Sequence, residues 1–382
     1  MHVLLLPKWY PGKNDPQLGD FIRKQALAAG SFVRMSVLHV EGVRGLPMRS
    51  EEELQESDSA WELVARYRAS DHWFTPWRKA INLIRFWKAS QRGWERVRTE
   101  RGKPDLLHAY ILIRPALVAW RLSRRHGVPF IVAEQSSEYM DGTFARKDLF
   151  TRAITRFLCK RSIKVLAVSR HLGESLKGHG LCERYTVVPN VIPGLERPLP
   201  LPGGPGRFLM VADLVDRIKN VSGALRALAV ARRTDGRLNL TIIGDGPDRG
   251  QLERIVHDLG LVSRVQFLGR LPNTLVLDQM AHAFAVLVNS RVETFSVVTG
   301  EALAQGKPVI ATRCGGPEAF ITAENGVLID PGDDAALAAA MLAVTREAVK
   351  WDPESIRRTV GDRFGPPAVG RALHDVYSSA LA

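Results

Sequence analysis

Short apolar runs, many of them β-branched, alternate along the chain with stretches whose apolar positions recur at helical spacing. In the first half, His2 to Leu6, Met35 to Val40, Leu106 to Tyr110, Phe130 to Ala133, Val165 to Val168 and Thr186 to Val188 have the length and composition of buried strands. Apolar residues at nearly every position, with helical patterns between the runs, predict parallel βαβ units covered on both faces. The stretch from Pro193 to Pro205 is so rich in Pro and Gly that neither a helix nor a central strand would tolerate it, and it is read as an interdomain linker. Beyond it the alternation restarts with Phe208 to Ala212, Leu240 to Ile243, Val265 to Leu268, Ala285 to Val288, Val309 to Thr312 and Val327 to Ile329. The expected fold class is therefore α/β, with two facing Rossmann-like domains at residues 1–195 and 205–364. Ligands of such sheets lie at the carboxyl ends of the strands, so facing domains would form a cleft with substrate sites on both walls.

Chemistry concentrates at several of those strand ends. Glu293 and Glu301 flank Thr-Phe-Ser-Val-Val-Thr-Gly, a segment that reads as strand, short loop and helix start. The first carboxylate then sits at the mouth of the sheet and the second about one turn into the helix. Between them lie backbone N–H groups at a helix N-terminus, which bind phosphate without a metal. The pair thus brackets an anion site, with sugar hydroxyls on one side of a diphosphate and ribose hydroxyls on the other. Gly244 and Gly246, in Ile242-Ile-Gly-Asp-Gly-Pro-Asp248, admit a tight turn and close ligand approach, although a strand-to-helix turn needs glycine for backbone reasons alone. Arg217 and Lys219 fall in the loop before the helical stretch Val221 to Arg232, where cations would neutralise a leaving diphosphate or simply be solvated. At the amino terminus, the loop from Pro7 leads into a helix at about Leu18 and is longer than a simple connection requires. Gly19 at that helix start would let backbone N–H groups approach a phosphate.

Composition narrows the field. The 382 residues suffice for two domains, and no segment approaches the roughly 18 uninterrupted apolar residues of a membrane span. The first residues lack a basic signal region, so a cytoplasmic protein is expected. Cys159, Cys182 and Cys314 are odd in number and lack ligand spacing, which suggests neither a disulfide framework nor a zinc site. The net charge of +13 is unevenly spread: Trp61 to Lys103 holds 11 Lys or Arg against 4 Asp or Glu, together with five of the eight Trp. Within it Ile81, Ile84, Trp87, Trp94 and Val97 fall near one helical stripe, with Arg85, Lys88, Arg92 and Arg96 off it. Two readings are open: a basic aromatic face resting on anionic lipid at the cytoplasmic side of a membrane, or a helix that packs its stripe on a sheet and solvates its charges. Nucleic acid is not an expected partner, since no helix-turn-helix, finger or RNP pattern is found.

Glu293 to Glu301 with Phe295-Ser296, followed by Ala302 to Glu318 and Asn325 to Asp333, resembles the donor domain of the retaining glycosyltransferases of family 4, also called glycosyltransferase group 1. Val168-Ser169, Val188-Pro-Asn190, Asp213 to Asn220 and Gly244-Asp-Gly-Pro247 fit the same family in the same order, and Trp9-Tyr-Pro, Gly19, His108 and Ala133 to Ser137 agree in kind. The resemblance covers nearly the whole chain. It implies a GT-B fold, whose first domain is completed by a C-terminal helix at about 365–382, and a nucleotide-sugar donor with a saccharide or lipid-linked acceptor. It further implies that Glu293 contacts hydroxyls of the transferred sugar, that the backbone of Phe295, Ser296 and Val297 holds the distal phosphate, and that Glu301 binds the ribose. Lys219 would stabilise the departing diphosphate, with Gly19 lining the cleft from the other domain. No cofactor or metal is expected, since no Asp-x-Asp pair is present.

Two positions depart from the family pattern. Asp213 stands where an Arg is usual, six residues before the phosphate Lys, and Arg217 would replace it from the shifted loop. Gln135 stands where a His near the reaction centre is usual, and Gln makes hydrogen bonds but does not titrate. If that His only positions sugar, Gln serves. If it does acid-base work, His108 must supply it. A nucleotide-sugar epimerase or hydrolase of the same fold, or a sugar-nucleotide binding protein with weakened catalysis, are the alternatives to a retaining glycosyltransferase of glycan, glycolipid or cell-surface polysaccharide biosynthesis.

Overall fold

A computed structural model describes residues 1–12, 15–200, 203–347 and 350–382. Lys13 and Asn14 of the amino-terminal loop, and Leu201 and Pro202 of the Pro-rich stretch, lie outside the described residues. The chain divides into two compact units, Met1–Val191 with Pro366–Ala382, and Ile192–Gly365. Among the described residues no helix is long and apolar enough to cross a membrane.

The first unit is built on β1 (His2–Pro7), β2 (Arg34–Val43), β3 (Ser50–Glu56), β4 (Trp61–Arg68), β5 (Leu106–Tyr110), β6 (Phe130–Glu134), β7 (Val165–Ala167) and β8 (Thr186–Val187). They form one sheet in the order β3-β4-β2-β1-β5-β6-β7-β8, parallel except for the antiparallel β3–β4 pair. β1, β5 and β6 are buried at every position, which is why their sequences are apolar runs without alternation. On one face of the sheet the helix Asp20–Gly30 packs beside the C-terminal helix Pro366–Leu381. Gly370 permits this, since a Cβ there would lie 2.3 Å from the Ala28 carbonyl oxygen. Val369 and Leu373 are fully buried in the same cluster, worth about 1.5–3 kcal/mol each.

The basic, Trp-rich segment divides in two. Its first part, Trp61 to Arg68, is strand β4 between β2 and β3, and Trp61 is buried. Internal charges obscured this strand in the sequence. Glu62 accepts hydrogen bonds from the Tyr10 hydroxyl at 2.5 Å and Arg23 Nε at 2.7 Å, while Arg66 donates to Glu41 and Glu53 at 2.7 and 2.8 Å. The second part is the helix Thr75–Arg101, with Pro76 in its first turn. Its later turns bury Phe86, Trp94 and Val97 over the sheet, with Gly93 seated on Leu38, whereas Trp77, Leu83 and Ile84 in its early turns are exposed. The apolar stripe therefore serves the core at one end and solvent at the other. β3 also went unread, because four of its seven residues are glutamates; Glu52 and Glu56 pair with Arg96 and Arg101 of the helix at 2.8 and 3.1 Å.

The second unit carries β9 (Arg207–Val211), β10 (Asn239–Ile243), β11 (Val265–Gly269), β12 (Ala285–Val288), β13 (Val309–Thr312) and β14 (Gly326–Ile329). These are all parallel, in the order β11-β10-β9-β12-β13-β14. The described part of the Pro-rich stretch is packed onto this unit: Gln305 Nε2 donates to the Gly194 carbonyl at 3.1 Å and Arg357 Nη1 to that of Arg197 at 2.7 Å. All twelve strands expected from the apolar runs are present.

The division of the Trp-rich helix is measurable by urea denaturation. Trp94→Ala empties a fully buried site and should cost about 3–5 kcal/mol, while Trp77→Ala, at 62% exposure, should change stability by less than about 0.5 kcal/mol.

Candidate functional site

In the second sheet the order reverses between β9 and β12, so the loops leaving these neighbouring strands run to opposite faces and open a crevice at their carboxyl ends. The loop after β9 contains the short helix Asp216–Lys219, which ends at Asn220 in a left-handed conformation (φ 47°). Side chains from the loop after β12 hold that turn: Asn289 Nδ2 donates to the Asn220 carbonyl and Arg291 Nη2 to Asn220 Oδ1, both at 2.9 Å. The two loops then meet in an ion pair. Lys219 Nζ lies 2.6 Å from Glu293 Oε1, which also accepts from Ser290 Oγ at 2.7 Å. The Glu293 backbone is clamped as well, its N–H donating to Cys314 O at 3.1 Å and its carbonyl accepting from the Gly316 N–H at 2.8 Å. Both side chains keep a solvent face, 23% for Lys219 and 16% for Glu293. Burial works to lower the Lys219 ammonium, and the charge and hydrogen bond of Glu293 outweigh it, so the group is held above its ordinary range and stays cationic at neutral pH.

Phe295, Ser296 and Val297 follow directly. Ser296 is left-handed (φ 68°) and precedes the helix Val297–Ala304, whose first N–H groups have no partner within the helix. The Phe295 ring is buried against Phe320 and Phe364, at centroid distances of 4.9 and 5.8 Å, so only the backbone of this residue is placed to meet a ligand. Glu301, one turn into the helix, is nearly buried, and its Oε1 accepts from Asn273 Nδ2 at 2.7 Å. Asn273 opens the helix Asn273–His282 after β11 and was missed in the sequence; a helix start after Pro272 was its one local signal.

Gly244 and Gly246 brace this arrangement from β10. Gly244 adopts φ 134°, a Cβ there would lie 1.8 Å from the Ala212 carbonyl oxygen, and one on Gly246 would lie 2.6 Å from that of Leu214. Asp248 Oδ2 then accepts the Asp216 N–H at 2.7 Å. The glycines thus shape the loop that carries Lys219. Arg217 is exposed, with no carboxylate at ion-pair distance among the described residues. Asp213 faces Arg270 Nη2 at 3.4 Å, so its charge is met by a cation at the end of β11 that the sequence did not single out. Among the described residues no group of three or more His, Cys, Asp or Glu is placed to hold a metal ion.

Three further residues belong to the first unit. Gly19 is the left-handed residue that starts the helix Asp20–Gly30, and a Cβ would lie 2.4 Å from the Trp9 carbonyl oxygen. Gln135 is tied into an amide network: its Oε1 accepts from Asn190 Nδ2 at 2.9 Å, its Nε2 donates to Gln25 Oε1 at 3.3 Å, and Gln25 Nε2 donates to the Pro189 carbonyl at 2.7 Å. The adjacent Glu134 carboxylate accepts the N–H groups of Leu112, Gln135 and Ser136, and burial pushes it above the usual carboxylate range. His108 has no exposed surface, its Nδ1 lies 2.9 Å from the Tyr377 hydroxyl, and burial lowers it to about 3, so it ties β5 to the C-terminal helix.

Two units, each built on a largely parallel sheet, with the Lys219–Glu293 pair at the order reversal of the second, have the architecture of the GT-B fold. Residues 193–354 match the family of glycosyl transferases group 1, and residues 27–191 match the glycosyl transferase 4-like domain. The chain belongs to this glycosyltransferase family. It is 28% identical over 295 residues to the glycogen synthase of Mycobacterium tuberculosis (strain ATCC 25618 / H37Rv), covering 73% of this chain and 69% of that protein. It is 33% identical over 182 residues to the lipopolysaccharide core biosynthesis glycosyltransferase LpsD of Rhizobium meliloti, covering 47% and 49% respectively. Its fold is shared with sucrose-phosphate synthase from Thermosynechococcus elongatus (TM-score 0.76, 18% identity, 99% of this chain and 98% of that one). It is also shared with Anabaena HepE in complex with UDP (TM-score 0.72, 16% identity, 99% and 100%).

The bracing role of Gly244 predicts that Gly244→Ala destabilises the protein by about 1–3 kcal/mol in a denaturant melt. Gly250→Ala, in a helix with nothing within 4 Å of the added methyl, should instead stabilise it by up to about 1 kcal/mol.

Proposed function

We propose that the protein is a configuration-retaining glycosyltransferase that moves a sugar from a nucleotide-sugar donor to a saccharide or lipid-linked acceptor, in glycan, glycolipid or cell-surface polysaccharide biosynthesis. The observation that carries this reading is the Lys219–Glu293 pair, 2.6 Å apart, beside the helix start at Ser296 and Val297. Charge develops on the departing diphosphate, so an ammonium and N–H dipoles fixed in advance lower the barrier more than they bind the ground state. Lys219, with Arg217 beside it, meets the diphosphate. The N–H groups at Ser296 and Val297 hold its distal phosphate, Glu293 takes hydroxyls of the transferred sugar, and Glu301, oriented by Asn273, takes the ribose. The leaving phosphate accepts the acceptor hydroxyl's proton on the same face, which gives retention and asks for no titrating side chain. Gln135, already committed to Gln25 and Asn190, positions rather than titrates, and Gly19 contributes backbone from the first unit. The donor charge is balanced here by protein cations, without a metal.

A peripheral position at the cytoplasmic membrane face is part of the proposal. Trp73, Phe74, Trp77, Leu83 and Ile84 are exposed beside Arg78 and Lys79, a combination suited to an anionic interface.

Lys219→Ala should lower kcat by about 10²–10³-fold with little change in KM, and Glu301→Ala should chiefly raise KM; the reverse pattern would sink these roles. NMR of the product should show the donor's anomeric configuration retained, starting with UDP-sugars, and EDTA should leave the rate unchanged. Release of free sugar with no acceptor dependence would indicate a hydrolase instead. Co-sedimentation with phosphatidylglycerol vesicles should fall on replacing Trp73 and Trp77 with Ser and on adding salt, whereas indifference to both would remove the membrane role.

A further inference from the structure

The first sheet also has an order reversal, between β1 and β5, and a cavity of about 490 Å³ lies there between the loops that follow these two strands. Leu6, Leu38 and Leu112 are among its apolar lining, and Lys8, Trp9 and Arg114 line it as well. A second hollow of about 290 Å³ shares Ser90 and Val118 with the first and is bordered by the helices Thr75–Arg101 and Arg114–His126. It adds Lys88, Arg121 and Arg125 to the lining. The two hollows adjoin across the buried Ser90 and Val118, and taken together as a trough they have an unbalanced charge. Lys8, Lys88, Arg114, Arg121 and Arg125 have no carboxylate at ion-pair distance among the described residues, while Glu41, the one carboxylate of the lining, is already held by Arg66 at 2.7 Å. Lys147, also in the lining, is paired with Glu138 at 2.6 Å. Three of the unpaired cations lie over aromatic rings: Lys8 over Trp9 at 5.1 Å, Arg114 over Phe86 at 5.8 Å and Arg121 over Trp87 at 5.4 Å. Such stacking orients a guanidinium while leaving its N–H edge open to an oxyanion.

We infer that this trough takes an anionic glycan as acceptor, a saccharide carrying phosphate or carboxylate groups, with its reacting end in the larger cavity and its charges along Arg121 and Arg125. The inference rests on the glycosyltransferase reading and names the acceptor class for it. Lys8, Lys88, Arg114, Arg121 and Arg125 are exposed around the openings, where charged groups without carboxylate partners attract an anion and gain nothing from a neutral saccharide. A bilayer is a poorer occupant of the larger cavity, whose volume of about 490 Å³ a flat surface would leave unfilled.

Isothermal titration of the full chain tests this with three probes: tetragalacturonic acid, pentamannosyl phosphate and neutral maltotetraose. At least one charged probe should bind about tenfold or more tighter than maltotetraose, weaken as salt rises, and lose about tenfold in Arg114→Gln and in the double variant Arg121→Gln/Arg125→Gln. Which charged probe binds separates carboxylate from phosphate. Equal binding of maltotetraose, or binding indifferent to these variants, overturns the inference. So does retention of phosphatidylglycerol vesicles through Arg121 and Arg125 when neither charged glycan binds, which would assign the trough to lipid. UDP binding by the same protein, followed by thermal shift, keeps the two readings apart: charged-glycan binding without any nucleotide or nucleotide-sugar binding supports the trough's ligand class and overturns the transferase reading instead.

Discussion

A parallel sheet that starts in its middle must reverse its strand order once, and everything functional in this chain depends on where it does so. In the second unit the reversal falls between β9 and β12, in the first between β1 and β5. At each place the following loops diverge and leave a gap between them. Residues far apart in sequence are thereby brought within hydrogen-bond reach. Lys219 and Glu293 are the clearest instance, since only the adjacency of β9 and β12 puts one at the side of the other.

Around that pair the protein has invested in stiffness. Asn220 is held by Asn289 and Arg291, the glycine loop after β10 lies against the backbone at Ala212 and Leu214, and Phe295 is anchored among Phe320 and Phe364. Each contact fixes a backbone segment instead of offering another charge. The first unit is organised differently, with Gln25, Gln135 and Asn190 joined as neutral amides and Glu134 locking the neighbouring loops through three N–H groups. Polarity around Gln135 is carried largely by neutral amides that hold one another in fixed directions.

Much of this was legible beforehand. Strands buried on both faces, such as β1, β5, β6, β12 and β13, announce themselves as apolar runs, and glycine-containing turns and the Glu293 to Glu301 spacing followed from where strands end. What escaped were features whose meaning depends on partners distant in sequence. β4 hid because Glu62 and Arg66 are charged yet internal, satisfied by Tyr10, Arg23, Glu41 and Glu53. Asn273 and Arg270 looked like ordinary polar residues until Glu301 and Asp213 were found opposite them. His108 is a similar case, its partner Tyr377 lying 269 residues away, and burial there keeps it neutral.

The glutamate-rich β3 has a consequence for how the molecule keeps company with its own copies. It is the last strand on its side of an eight-stranded sheet, and among the described residues no further strand pairs with its outer row of backbone groups. Its four glutamates are held in ion pairs with Arg66, Arg96 and Arg101, so the edge is lined with charged side chains already engaged within the chain. A strand so dense in charged side chains is a poor template for a further strand, which is how an edge of this kind is kept from joining a neighbouring copy.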